Sequence, residues 1–278
     1  MKNILKIMLM MITIFTIAGS AVYAAEIPVS DQDQLITSND WTEISNLQDE
    51  MKKEEPDATI DYDKALKVYV DCNLIKLQTA DTKKLTSALE SANYVWVIPF
   101  KMEKTYGMFT VAKGLPLREE AKSVLTKAEQ EEVKNHAGKW MVTETAEHTV
   151  EPYYDILLEK REALSDCTRV VLVGSQPGMR QPVALGMDDE TARIWISLGY
   201  QYPVMEKIPE TQNVESGVYS FDSVAEISDT YIEDSEVSTG AGVQSRSSMK
   251  YVAGIGIIVI GSIIILSVLK KKKLEDYE

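Results

Sequence analysis

Residues 169–198 read RVVLVGSQPGMRQPVALGMDDETARIWISL and contain the pattern that decides the fold. Three runs rich in Val, Ile and Leu are separated by SQPGMR and DDET, two segments composed of turn-forming residues. Short strands with short connections favour an antiparallel meander. The acidic residues of DDET are contiguous, whereas a calcium-binding loop spaces its ligands alternately, so DDET is predicted to be a turn.

Two further strand patterns lie upstream of the meander. Residues 66–74, LKVYVDCNL, alternate apolar residues with Lys67, Tyr69 and other residues predicted to face water. This alternation predicts a strand with one buried face and one hydrated face. Residues 94–100, YVWVIPF, form a continuous apolar run that is typical of a central strand, and MFTVA follows it after a turn as the second arm of a hairpin.

Helix-start signals are interspersed with these strands. Asp40 and Glu43 have the spacing of a capping box, and Thr126 and Glu129 repeat that spacing. Asp81 can cap a helix whose apolar residues recur every three or four positions. Because helices precede and interrupt a mainly antiparallel sheet, the predicted class is α+β, and residues 40–205 suffice for one core.

The C-terminal region carries a membrane signal. Residues 251–269, YVAGIGIIVIGSIIILSVL, contain no charged group, and a helix of this length is close to the roughly 30 Å of a bilayer's hydrocarbon core. We therefore predict a transmembrane helix over residues 250–269 that contacts membrane lipid through 251–269. The basic block Lys270, Lys271, Lys272 and Lys273 follows at once and predicts that residues 270–278 form a cytoplasmic tail, because lysine-rich flanks stay inside.

The N-terminal region carries an export signal. Two lysines, a short apolar run and small residues before position 25 predict a signal peptide over residues 1–24. Residues 25–39 are polar and are predicted to be a flexible lead-in. Residues 206–249 are acidic and rich in Ser and Thr, which predicts a stalk in which VYSFDSV adds a possible edge strand. The predicted location is a cell membrane, with the main domain outside.

Charge excludes one class of partner. Residues 26–249 carry 22 Lys and Arg but 40 Asp and Glu, a net charge of −18. Nucleic acid is therefore excluded as a partner at the level of net charge, whereas cationic peptides or ions would be attracted. An envelope protein or a surface ligand is the predicted partner.

The only two cysteines, Cys72 and Cys167, leave two alternatives open. A disulfide between them would suit an exported protein, and two free thiols would suit the apolar face on which Cys72 is predicted to lie. Neither cysteine is flanked by residues that would activate a thiol.

The loop between the first two meander strands is the predicted contact surface for a partner, through Ser175, Gln176, Gly178 and Arg180. Its GSQPG sequence is not the G-x-S-x-G nucleophile elbow, and it lacks the Gly-Lys-Ser/Thr ending of a phosphate-binding loop.

Catalytic residues, metal ligands and cofactors are not predicted. His136 and His148 are the only histidines, so a three-histidine metal site is impossible. The predicted function is a non-enzymatic, membrane-anchored binding or accessory protein of a bacterial-type cell envelope. One alternative is an anchored envelope hydrolase that uses His136 or His148 with carboxylates, and another is a sensor ectodomain that acts through a partner.

Overall fold

The computed structural model describes residues 27–148, 152–174, 176, 179, 182–198, 207–208 and 213–228. Among them, ten strands form one sheet. The strands are β1 (Thr59–Ile60), β2 (Leu66–Tyr69), β3 (Tyr94–Lys101), β4 (Tyr106–Lys113), β5 (Trp140–His148), β6 (Arg169–Val173), β7 (Val183–Met187), β8 (Ala192–Ser197), β9 (Asn213–Glu215) and β10 (Val218–Ser220). Their order is β5-β4-β3-β2-β6-β7-β8-β10-β9, and β1 pairs with the far end of β3.

One parallel pair joins two antiparallel halves at the centre of the sheet. β2 lies parallel to β6, with Val68 opposite Leu172 and Tyr69 opposite Val173. β2 to β5 are antiparallel on one side, and β6, β7, β8, β10 and β9 are antiparallel on the other. The predicted meander and the predicted α+β class with a mainly antiparallel sheet are confirmed.

Seven helices lie in the described part of the chain. They are α1 (Trp41–Ser45), α2 (Gln48–Glu54), α3 (Thr82–Glu90), α4 (Glu119–Lys122), α5 (Lys127–His136), α6 (Tyr153–Glu159) and α7 (residues 221–228). Short 3-10 turns lie at Asp31–Asp33, Leu35–Thr37, Tyr62–Lys64 and Ile75–Leu77.

Helices pack on both faces of the sheet. On the face that contains Trp96, α1 and α2 cover one half, while α3 and α7 cover the other half around Trp195. On the opposite face, which contains Val68, Leu157 of α6 and Leu164 pack against the central strands. We call these the Trp96 face and the Val68 face. Because both are covered, central strands are buried on two sides.

This two-sided burial corrects the sequence prediction for β2. All four residues of Leu66–Tyr69 are buried, including Lys67 and Tyr69, which were predicted to face water. The strand also ends at Tyr69, because Asp71 takes a positive φ of 55° and turns the chain away. Alternation of residue types predicted the strand correctly but gave no sign of the second covering layer.

Residues 27–37 form an N-terminal strap at the centre of the sheet. Val29 bridges Val170 of β6 in parallel, and Gln34 bridges Leu66 of β2 in antiparallel orientation. The backbone N–H of Val170 donates to the carbonyl of Pro28 at 2.8 Å. Since the strap is hydrogen-bonded to both central strands, residues 27–37 are part of the sheet region and not the flexible lead-in that was predicted.

The folded region also extends past residue 205. β10 pairs with β8, which places a strand inside the predicted VYSFDSV segment, and residues 221–228 continue as α7. Tyr219, Phe221 and Val224 are buried in the apolar group around Trp195, which we call the Trp195 cluster. Part of the predicted stalk therefore belongs to the core.

The predicted signal peptide and the predicted membrane-spanning segment, residues 250–269, lie outside the described residues. Within the described ranges, none of the helices is both long enough and apolar enough to cross a bilayer.

Candidate functional site

Among the residues that the structure describes, the largest concentration of buried charge lies on the Trp96 face, where the strap meets β2 and β6. Four charged residues and three aromatic residues meet there, and we call this group the charge cluster. Its members are Asp33, Asp40, Lys67, Tyr69, Tyr94, Trp96 and Arg169. Three elements that are far apart in sequence bring these side chains together: the strap with the start of α1, the β2–β3 pair, and β6.

Asp33 is the centre of the cluster and is only 2% exposed. Its carboxylate accepts hydrogen bonds from Ser30 Oγ at 2.6 Å, Tyr69 Oη at 2.8 Å and Arg169 Nη2 at 3.0 Å. The ammonium nitrogen of Lys67 lies 3.8 Å from Asp33 Oδ1. A carboxylate can be buried at this depth because charged and neutral donors surround it.

Lys67 lies in an aromatic cage. Its Nζ is 4.6 Å from the ring centroid of Tyr94, 5.2 Å from that of Trp96 and 5.8 Å from that of Tyr69. Burial lowers the pKa of Lys67, while the negative charges of Asp33 and Asp40 act in the opposite direction. The ring faces and the two carboxylates are what favour the charged form of this lysine in a buried place.

The predicted capping box at Asp40 and Glu43 is not formed. Asp40 stands at the N-cap position of α1, but its side chain makes no capping hydrogen bond there. Its carboxylate instead accepts hydrogen bonds from Tyr94 Oη at 2.8 Å and Trp96 Nε1 at 3.0 Å. Burial, followed by the neighbouring carboxylate, raises the pKa of Tyr94, and burial with Asp33 raises the pKa of Tyr69. Both phenols are therefore held neutral as donors.

The arrangement is suited to locking the strap onto the sheet. Two carboxylates from residues 33–40 face two cations from β2 and β6, so the formal charges of the cluster balance. Arg169 Nε is buried and has no hydrogen-bond partner among the residues that the structure describes. The sequence alone does not reveal this cluster, because its members are spread along the chain and form no local pattern.

The predicted partner-contact loop differs from the structure at the one member that is described. Gln176 is only 3% exposed. Its amide nitrogen donates to the carbonyls of Cys72 and Gly174, and its amide oxygen accepts from the N–H of Leu74. Gln176 therefore ties the loop after β6 to the loop after β2 instead of facing a partner. Ser175, Gly178 and Arg180 lie outside the described residues.

The two histidines lie on either side of most of β5, with His136 before the strand begins and His148 at its last position. His136 ends α5, where its carbonyl packs against Gly114, and Trp140 begins β5 four positions later. His148 is the last residue of β5, and the eight steps from Trp140 to His148 correspond to roughly 26 Å at about 3.3 Å per residue. The backbone geometry does not bring the two histidines into one site. The side chain of His148 lies outside the described residues.

The cysteines lie on opposite faces of the sheet. Cys72 is partly buried against the Trp195 cluster of the Trp96 face, and Cys167 belongs to the cluster of the Val68 face. Both are free thiols, so of the two alternatives the structure contains the unpaired one. Burial raises the pKa of each thiol to about 11, which disfavours the reactive thiolate at neutral pH.

Groups of three or more metal-binding side chains do not occur among the residues that the structure describes. Comparison of the chain with protein-family models, curated proteins and solved structures finds no match.

Proposed function

We propose that this protein is a single-pass membrane protein of a bacterial-type cell envelope that presents its α+β domain outside the membrane. There the domain acts as a binding or accessory module and not as an enzyme. The observation that carries the proposal is the uncharged run from Tyr251 to Leu269, followed directly by four lysines. A run of this length matches the bilayer core, and the lysines favour the cytoplasmic side.

One feature of the domain supports a non-enzymatic role and another supports a binding role. The members of the charge cluster pair with one another between the strap and the sheet, so these side chains hold the fold together. The excess of acidic side chains outside the predicted membrane segment gives the domain a strongly negative field, which draws cationic partners from a distance.

The topology can be tested with protease on intact cells that express the full chain with an epitope after residue 278. We expect external protease to remove the domain and to leave a short tagged fragment that contains the membrane segment. The matched variant replaces Lys270, Lys271, Lys272 and Lys273 with glutamine, and we expect it to lose the uniform orientation.

The proposed topology would be refuted if intact cells protected the domain while the tag was removed. Release of the full chain into the medium without detergent would refute the anchor as well.

A further inference from the structure

β5 forms one edge of the sheet in the described part of the chain. It pairs with β4 on one side, and no described residue pairs with its other side. In an antiparallel ladder, alternate residues of an edge strand direct their N–H and C=O groups away from the neighbouring strand. An edge of nine residues is long for a globular domain, where such edges are shortened, covered or charged.

A bulge divides this edge and leaves a regular stretch at its C-terminal side. Glu144 pairs with Thr110 and Val142 pairs with Val111, so Thr143 is the extra residue. Thr143 Oγ1 donates to the carbonyl of Thr110 at 3.0 Å, which fixes the bulge to β4. From Glu144 to His148 the register is unbroken, and this stretch could pair with an added strand.

Acidic side chains flank the edge on both faces of the sheet. Glu144 and Glu147 are exposed and lie on β5 itself, with one on each face according to the register. α1 and α2 contact β5 on the Trp96 face. The segment that contains these helices, residues 40–57, has seven acidic residues and two lysines.

A second copy of the chain does not suit this edge. An antiparallel pair of β5 strands would bring the glutamates of one copy close to those of the other, and like charges across a strand pair are destabilising. A strand with lysine or arginine at alternate positions would place its cations on one face of the sheet, where on the Trp96 face they would meet Glu147 and the acidic α1–α2 segment.

We propose that the β5 edge, at Glu144–His148, binds an extended cationic segment of a partner protein as an added β-strand. The backbone of the edge would supply the hydrogen bonds, and the glutamates with the acidic α1–α2 segment would select lysine and arginine. This inference rests on the proposed function, because it names the class of partner that the presented domain would bind.

The test measures binding of a fluorescent, acetylated peptide of alternating lysine and valine to the full chain in a zwitterionic detergent. We expect saturable binding that weakens about tenfold or more in the double variant Glu144→Lys/Glu147→Lys. The matched control, Glu162→Lys/Glu190→Lys, makes the same change in net charge at exposed positions on the other half of the sheet, and we expect it to bind as the wild type does.

Two control peptides separate strand addition from charge attraction. A peptide of alternating glutamate and valine should not bind. The lysine–valine peptide with N-methyl groups at alternate residues keeps its charge but loses the backbone donors on one edge, and when methylated in the register that faces β5 it should not bind.

Four outcomes would overturn the inference: no binding, equal weakening by both double variants, full binding of both N-methylated registers, or a dimer of the chain that the Glu144→Lys/Glu147→Lys variant alters. Each of them leaves the protease test of membrane topology unaffected. Failure of this inference is therefore distinguishable from failure of the proposed function.

Discussion

Asp33 connects three elements through a single carboxylate, and this makes it the most sensitive residue in the charge cluster. We predict that Asp33→Asn lowers the free energy of unfolding by about 3–5 kcal/mol, because Lys67 and Arg169 would remain buried without their shared counter-charge. Chemical denaturation followed by circular dichroism measures this loss.

The matched control is Glu119→Gln, which removes one partner of an exposed ion pair with Lys122. This change should leave the denaturation midpoint almost unaltered, since exposed pairs contribute little. Similar effects of the two substitutions would contradict the role assigned to Asp33.

Asp188 gives the domain a predictable response to acid. Its carboxylate accepts hydrogen bonds from the N–H groups of Thr191 and Glu190 and lies beside Arg193, and these contacts lower the pKa of Asp188 from 3.8 to about 2. A carboxyl group with a lowered pKa in the folded state stabilises the fold above its unfolded pKa, and this contribution is lost as the pH falls through the folded value.

We therefore predict that the difference in unfolding free energy between wild type and Asp188→Ala is largest near neutral pH and shrinks between about pH 4 and pH 2. Denaturation curves across this range measure the difference. Asp188→Asn keeps an acceptor oxygen for the turn and isolates the effect of the charge. A difference that is independent of pH would show that the hydrogen bonds to Asp188 do not depend on its ionisation.

At the scale of elements, local sequence signals located most helices and strands. The capping box at Thr126 and Glu129 is present, and Asp81 caps α3 through the N–H groups of Lys83 and Lys84. The strap was missed because its residues have neither helical nor strand periodicity. Its position depends on β2 and β6, which lie far along the chain, so no local pattern could reveal it.

Two neighbouring residues of the strap, one buried and one partly exposed, test whether the strap is part of the folded unit. Leu35 is fully buried beside Ile44 and Ala65, whereas Ile36 is 38% exposed. We predict that Leu35→Ala costs about 2–5 kcal/mol of stability, because it removes buried methyl groups and leaves a cavity. Ile36→Ala should cost less than about 1 kcal/mol, measured by the same denaturation curves. Equal, small effects would mean that the strap is not part of the folded unit.

At the scale of the whole molecule, the β2–β6 junction makes the two halves of the sheet one structure. The N–H of Gly174 donates to the carbonyl of Tyr69 across this junction at 2.8 Å, and Gln176 links the loops that follow the two strands. Composition and periodicity predicted the α+β class and the antiparallel meander. They could not predict the junction, because a single parallel pair in an antiparallel sheet leaves no signature in either strand.

We predict that the domain unfolds in one transition. In the variant Trp195→Phe, fluorescence reports on Trp41, Trp96 and Trp140, which all lie on the β2–β5 side, while far-UV circular dichroism reports on all the secondary structure. The two signals should share one midpoint in denaturant if the junction couples the halves. Separate midpoints would show that each half unfolds alone.

The position of the strap sets the order in which the domain can be completed. Asp33 and Arg169 are 136 positions apart, so at roughly 5–20 residues per second a ribosome needs about 7–27 s to add the second after the first. During that interval β6 is absent, so the strap lacks one of its two pairing partners. β2 then exposes the edge that β6 covers in the complete domain. Synthesis that stops before Arg169 would thus yield a fragment whose β2 is free to pair with other chains, and such fragments should aggregate.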